Sequence, residues 1–290
     1  MSQPATAPLT RRLAITVIPN LAAAPDLASV RDYYSPPNWN DLSKLDLDLP
    51  SGGFPAFTFH GKEVLAGGGK ESVVYLLDPE NLGGGTHQRA LYTSPVLANE
   101  GRALEEKGFW GSPAAWTGPH RQTWLYFPFG EAWQPPPPRF PVTNGDTPHG
   151  SILAFKVSTS ETTAPTLETA WVSPDMNLPD APVIANGVLY ALATGENPGQ
   201  DHLLGVTHFR STEEWKRNLL TSAERSAGTH PAVLVALDAT SGKLLYQSGD
   251  AMKSWVHFTG LAVTGGRVFA VDHESRLYCF GLRTAALPVH

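Results

Sequence analysis

The chain has 290 residues, 41% of them hydrophobic, enough to bury a sizeable core as one large all-β domain or two smaller ones. A formal net charge of -6, with no dense Lys/Arg cluster, leaves no electrostatic footprint for nucleic acid or an anionic membrane surface. The single cysteine, Cys279, excludes a disulfide framework within the chain, and no run reaches the roughly 18 apolar residues of a membrane-spanning helix.

The first segment, "RRLAITVIPNLAAAPD", loosely mimics a secretory signal, but Pro19 and Asn20 interrupt its apolar run. Residues 1–31 are expected to be poorly structured or to contribute one closing strand from "LAITVIP". From Asp32 onward the 27 Gly and 26 Pro sit mostly between short apolar runs and read as punctuation between strands. Four segments share one plan: "FPAFTFHGKEVLAGG", "GSPAAWTGPHRQTWLYFPFG", "APVIANGVLYALATG" and "TGLAVTGGRVFAVDHESRLYCFGL". Each opens on a small or apolar residue with Pro or Gly, crosses an apolar strand, turns, and enters a second strand. The turns are His60-Gly61, Gly118-Pro119-His120, Asn186-Gly187 and Thr264-Gly265-Gly266.

Each hairpin is followed by another strand ending in an Asp-turn feature. It is clearest in "LVALDATSGKLLYQSG", an apolar strand, an Asp, a Ser-Gly-Lys turn and a second strand, with a related form in "VVYLLDPENLGG" and "RALYTSP". Fainter forms are "SILAFKVSTS" leading on to "LETAWVSP", and the terminal "SRLYCFGL", where the turn comes last, no second strand follows, and Cys279 takes an inward, buried position. Hairpin plus hairpin makes a four-stranded antiparallel unit. Successive units start roughly 60 to 80 residues apart, against about 40 to 50 for compact propeller repeats, so insertions inflate the period. One is the loop at 131–150, "EAWQPPPPRFPVTNGDTPHG", whose prolines cannot join a central strand. The other, at 211–228, predicts one helix from about Thr212 to Arg225, with a capping box of Ser211 and Glu214, a face of Trp215, Leu219 and Ala223, and Gly228 at its end. Trp215 serves there either as packing onto its own blade or as an anchor for a partner.

Small sheets repeated around an axis are how a β-propeller suppresses exposed edges. The expected fold is therefore all-β, about four four-stranded antiparallel blades over residues 32–290. A sandwich would not require the same Asp-turn feature to return in successive hairpin pairs.

The copies "LVALDATSGKLLYQSG" and "YLLDPENLGG" resemble the pyrroloquinoline-quinone (PQQ) repeat, whose blades end in an apolar strand, Asp, a Thr/Ser-Gly-Lys turn and an aromatic. The resemblance covers about Asp32 to Leu282. It implies kinship with the C-terminal part of quinoprotein alcohol dehydrogenases, with the scaffold propeller of outer-membrane assembly and with secreted propellers, hence a periplasmic or secreted location. Family rings have seven or eight blades, so the resemblance also implies an incomplete ring, either a fragment or a chain that receives its remaining blades from a partner. The stretch "LDLDLPSGGFPAFTFHGKEVLAGGGKESVVYLLD" is similar to the dehydrogenase region in which an Asp acts as general base and a Lys hydrogen-bonds the quinone. By position, Asp46 or Asp48 stands for that carboxylate and Lys70 for that amine. PQQ and calcium are the cofactors so implied. The departures are the missing Trp before Asp46, Gly69 and Glu71 in place of Pro and Asn around Lys70, no vicinal cysteine pair, and no carboxylate-dense loop for calcium.

Further candidates come from the residues themselves. Trp110 in "GFWGSPAAW" stands at a blade entrance, where an aromatic stacks a planar ligand or fills space between blades. Glu196 and Asn197 in "TGENPGQDH" offer an oxygen pair for a cation or polar ligand, or an Asx turn before Pro198. His149 and His257 each precede an inner strand and face the channel in the ligand-site reading. No metal site is read from these residues, "AGGGKES" lacks P-loop spacing, and no nucleophile-elbow pattern occurs. The functional expectation is a non-catalytic binding or scaffold module with a protein or polymer partner on the propeller face. The alternative is the C-terminal portion of a PQQ-dependent alcohol or sugar dehydrogenase. Any ligand is expected at the channel end near Lys70, Trp110, His149, Glu196, Asn197 and His257.

Overall fold

A computed structural model describes residues 15–16, 33–44, 47–49, 52–97, 108–130, 138–159, 164–199, 202 and 212–282. A two-residue ladder pairs β1 (Ile15–Thr16) with β2 (Tyr33–Tyr34), and the short helix α1 (Trp39–Lys44) follows. Four sheets then succeed one another. The first holds β3 (Ala56–Phe59), β4 (Lys62–Gly68), β5 (Val74–Leu77) and β6 (Tyr92–Thr93). The second holds β7 (Ala114–Thr117), β8 (Thr123–Phe129), β9 (Val142–Thr143), β10 (Ser151–Thr159) and β11 (Pro165–Val172). The third holds β12 (Val183–Ala185), β13 (Val188–Ala193), then, after helices α2 (Thr212–Asn218) and α3 (Ser222–Ala227), β14 (Val233–Asp238) and β15 (Leu244–Gln247). The fourth, among the described residues, holds β16 (Ala262–Thr264), β17 (Arg267–Val271) and β18 (Leu277–Gly281).

Within each sheet the strands pair in chain order and antiparallel, apart from β9, and the first strands lie side by side as β3 on β7, β7 on β12 and β12 on β16. The protein is thus a β-propeller of four blades, as the repeated hairpins predict.

Period-two alternation explains why strands inside a blade read as nearly continuous apolar runs: both faces are buried. On β4 and β5, Val64, Ala66, Val74 and Leu76 face the second blade, where they meet Leu125, Phe127, Phe129 and Phe155. The opposite register, Leu65, Tyr75 and Leu77, packs beneath Tyr34, Leu49 and Leu82 of the flanking segments. Likewise Trp124 and Tyr126 of β8, with Trp171 of β11, pack on Leu189, Ala191, Val235 and Leu237 of the third blade. Leu192, Leu234 and Met252 join the third blade to Val268 and Ala270 of the fourth. The hydrophobic core is therefore a set of joints between sheets.

The small residues that open each repeat have a steric cause. The lead-in loops of adjacent blades touch backbone to backbone: a Cβ on Gly52 would overlap the Gly111 carbonyl carbon, and one on Gly111 would lie 2.8 Å from the Ala181 nitrogen. Asp180, buried at this end, accepts hydrogen bonds from the N–H groups of Ala181 and Gly260, fastening the lead-ins of the third and fourth blades together.

The repeated Asp is a turn organiser. Asp238 Oδ1 accepts from the backbone N–H and hydroxyl of both Thr240 and Ser241, at 2.7 to 3.0 Å. Asp78 accepts from Glu80 N–H, and Asp272 accepts from the N–H groups of Glu274 and Arg276 and from the Tyr278 hydroxyl. The Thr240 hydroxyl above all, opposed by burial and aided by Ser241 and the two backbone groups, holds the Asp238 carboxyl below its usual 3.8. For Asp272, burial opposes, but the Arg276 N–H and the Tyr278 hydroxyl prevail and the shift is again downward. A carboxyl whose folded pKa is depressed contributes stability above its unfolded value and loses it as pH falls through the folded value. The urea midpoint should therefore stay level from pH 7 to 5 and drop below about pH 4. Asp238→Ala should cost about 1–2 kcal/mol at pH 7 and shallow the acid slope; an equal loss at pH 7 and pH 3 would contradict this role.

Three expectations need correction. The insertion before β14 forms two helices, because a second capping box interrupts it: Thr221 Oγ1 accepts from Glu224 N–H while the Glu224 carboxylate accepts from Thr221 N–H. Ser211, the expected cap, lies outside the described residues. The loop at 131–150 is not all loop, since Val142–Thr143 pairs parallel with Trp171–Val172 and extends the second blade's outer edge. Asn144 then bridges to the Val172 and Ser241 carbonyls. Cys279 is exposed: β18 pairs only with β17 among described strands, and its register turns Tyr278 and Phe280 toward the third blade while Cys279 faces away. The fourth blade has three described strands, in keeping with the terminal repeat "SRLYCFGL", after which no further strand was read.

Candidate functional site

Lys70 sits in the tight connection between β4 and β5, which Ser72 N–H closes by donating to the Gly69 carbonyl. Its side chain is 6% exposed, Nζ lies 2.9 Å from Asp48 Oδ2, and its backbone N–H donates to the Asp48 carbonyl at 3.0 Å. The same ammonium lies over the Trp110 ring, 5.0 Å from the centroid. Trp110 in turn stacks on Phe258, with centroids 5.3 Å apart and planes 7° from parallel. Phe258 adjoins His257, centroids 4.1 Å apart, and His257 Nδ1 lies 2.7 Å from Glu196 Oε2. The other oxygen of Glu196, a residue 5% exposed, accepts from Arg225 Nη2 at 2.9 Å. One connected run thus crosses side chains of all four blades or their lead-ins and ends on α3.

Five of the candidates, Asp48, Lys70, Trp110, Glu196 and His257, stand in this run. Asn197 follows Glu196 and makes an Asx turn, its Oδ1 accepting from Gly199 N–H at 3.0 Å. His149 is paired elsewhere, Nδ1 to Asp175 Oδ2 at 2.8 Å, with its side chain 61% exposed. Asp46 lies outside the described residues. Phe258, Arg225, Trp255 and His273 were not singled out from sequence. Trp255 and His273 stack at 4.1 Å and border the same end of the run. For Trp255 and Phe258 the local signal is the aromatic density of "SWVHF" before β16.

Two spaces adjoin the run. One, beside Trp110, Asp180, Glu196 and Phe258, measures about 10 Å³, room for one water at most. The other is an open cleft of about 260 Å³ between α3 and the lead-in of the fourth blade. The quinone implied by the resemblance does not fit the first: the Trp110 ring already carries Lys70 and Phe258, and a tricyclic cofactor far exceeds the space. No group of three or more His, Cys, Asp or Glu side chains among the described residues is placed to hold a metal ion.

No protein-family model matches this sequence, and no curated protein matches it. Among solved structures, BamB from Moraxella catarrhalis is similar at 15% identity and a TM-score of 0.21, covering 81% of this chain and 78% of that one. The propeller assignment rests on strand pairing and inter-blade packing rather than on that superposition. No helix among the described residues is long and apolar enough to cross a membrane.

Proposed function

We propose that this propeller, built from PQQ-like repeats, is a non-catalytic binding module whose recognition surface is the face carrying the lead-in loops, with a protein or polymer as partner. The repeat reading is supported by the Asp turn recurring at Asp78 and Asp238 between the third and fourth strands of the first and third blades. One observation carries the binding reading: the charged groups on this face are set against partners within the protein. Lys70 is held by Asp48, Glu196 by Arg225 and His257, and His149 by Asp175. Asp48, Arg225, His257 and His149, the more exposed members of these pairs, give fixed, directional polarity, and Phe258, 53% exposed, gives an aromatic contact at the centre of the run.

Placing the photo-crosslinking residue p-benzoylphenylalanine at position 258 should yield discrete adducts in extracts of the native organism. The same residue at position 245, on the outer edge of the third blade, should yield none. Adducts from 245 alone would move the surface elsewhere. Incubation with PQQ and calcium should give no dye-linked alcohol oxidation; turnover that disappears in Lys70→Ala would establish the enzyme reading instead.

A further inference from the structure

The cleft beside α3 has a definite chemical character. Glu196 is nearly buried and both of its oxygens are engaged, so it acts as a positioning residue for Arg225 and His257. A carboxylate only accepts, so His257 Nδ1 carries the proton of that contact and Nε2 is left as the polar atom of an imidazole that lines the cleft. Asn197, fixed by its Asx turn, and the hydroxyls of Ser222 and Ser226 add further polar groups to the lining. Trp255, stacked on His273, supplies a flat aromatic wall.

Among the described residues, Glu196 and Arg225 are the only Asp, Glu, Lys or Arg side chains lining the cleft, and their formal charges cancel. An anion or a cation would therefore gain little, whereas a neutral molecule rich in hydroxyl groups would meet planar, pre-oriented donors and acceptors on one side and an aromatic face for its C–H surface on the other. The volume, about 260 Å³, lies at the lower end for ligand pockets and suits one ring-sized unit.

We infer that this cleft is a carbohydrate subsite that takes one neutral pyranose unit of a glycan. The helical insertion then has a purpose, since Ser222, Arg225 and Ser226 of α3 form one wall of the cleft. The assignment rests on the binding reading above and names its ligand class.

Saturation-transfer difference NMR on the full chain with maltose, cellobiose, lactose and chitobiose tests it. At least one disaccharide should receive saturation from the wild-type protein. Its affinity should fall tenfold or more in Trp255→Ala and in Glu196→Gln. Ser226→Trp, at an exposed helical position, should block the cleft without removing a structural contact; native hydrogen-exchange protection would confirm that each variant is folded. No transfer to any of the four overturns the carbohydrate assignment, and protein adducts from position 258 would then leave the binding reading standing with a protein partner. Transfer that survives both Trp255→Ala and Ser226→Trp overturns the placement in this cleft.

Discussion

Replacing Trp171 by alanine is expected to lower stability by about 3–5 kcal/mol, a melting-temperature loss on the order of 10 °C for a chain of this size. Trp171 is 1% exposed in the joint between the second and third blades. Its indole Nε1 donates to the Ala239 carbonyl at 3.2 Å, and the Tyr126 hydroxyl donates to the same oxygen at 2.9 Å. Ala239 follows the β14 strand that ends in Asp238, so both donors grip the neighbouring blade at its Asp turn. The turn is shaped to receive them: a Cβ on Gly242 would press into the Trp171 ring. Tyr126→Phe keeps the packing and removes one bond, so it should cost only about 1–2 kcal/mol. Because both donors share one acceptor, the double variant should be non-additive. Additive losses, or a Trp171→Ala loss below 1 kcal/mol, would mean that the blades are not joined here.

Gly195→Ala is the second large effect, expected to cost about 3 kcal/mol or more and to abolish ligand binding in the cleft. Gly195 has φ +71°, in the left-handed region, and a Cβ there would overlap the His230 carbonyl oxygen and lie 2.8 Å from its carbon. Those are backbone atoms, further pinned because His230 N–H donates to the Gly195 carbonyl at 2.7 Å. The next residue is Glu196, so any relief of the clash displaces the carboxylate that orients Arg225 and His257. Hydrogen exchange should show the lost protection centred on 194–196 and 230–232. Stability within 0.5 kcal/mol of the wild type would show that the two segments do not approach this closely.

The blades were legible in the sequence because their signals are local. Turns such as Asn186-Gly187, with φ of 52° and 77°, and the Asp238 turn need only neighbouring residues. The break between α2 and α3 was missed although Thr221 and Glu224 have capping-box spacing, because the apolar face across the run pointed to one continuous helix. The pairing of β9 could not be read, because two residues carry too little pattern and their partner strand lies beyond a hairpin. Nor could the exposure of Cys279, since alternation fixes that two residues differ in face but not which face is covered. At the site, Lys70 stood out through the resemblance alone, and Trp110, Glu196 and His257 as residue types at a blade entrance, a strand end and the approach to an inner strand. Their connection depended on Phe258 and Arg225, from the fourth blade's lead-in and the helical insertion, which meet the others only through the ring geometry.

That convergence is the central claim, and a double-mutant cycle between Trp110 and Phe258 tests it most directly. Residue 110 leads into the second blade and residue 258 into the fourth, so only the closed-in lead-in loops bring the rings together. Trp110→Ala, Phe258→Ala and the double variant, each measured by urea unfolding, should give a coupling of about 0.5–1.5 kcal/mol. A coupling of zero would contradict it, placing the two loops apart and dissolving the recognition surface.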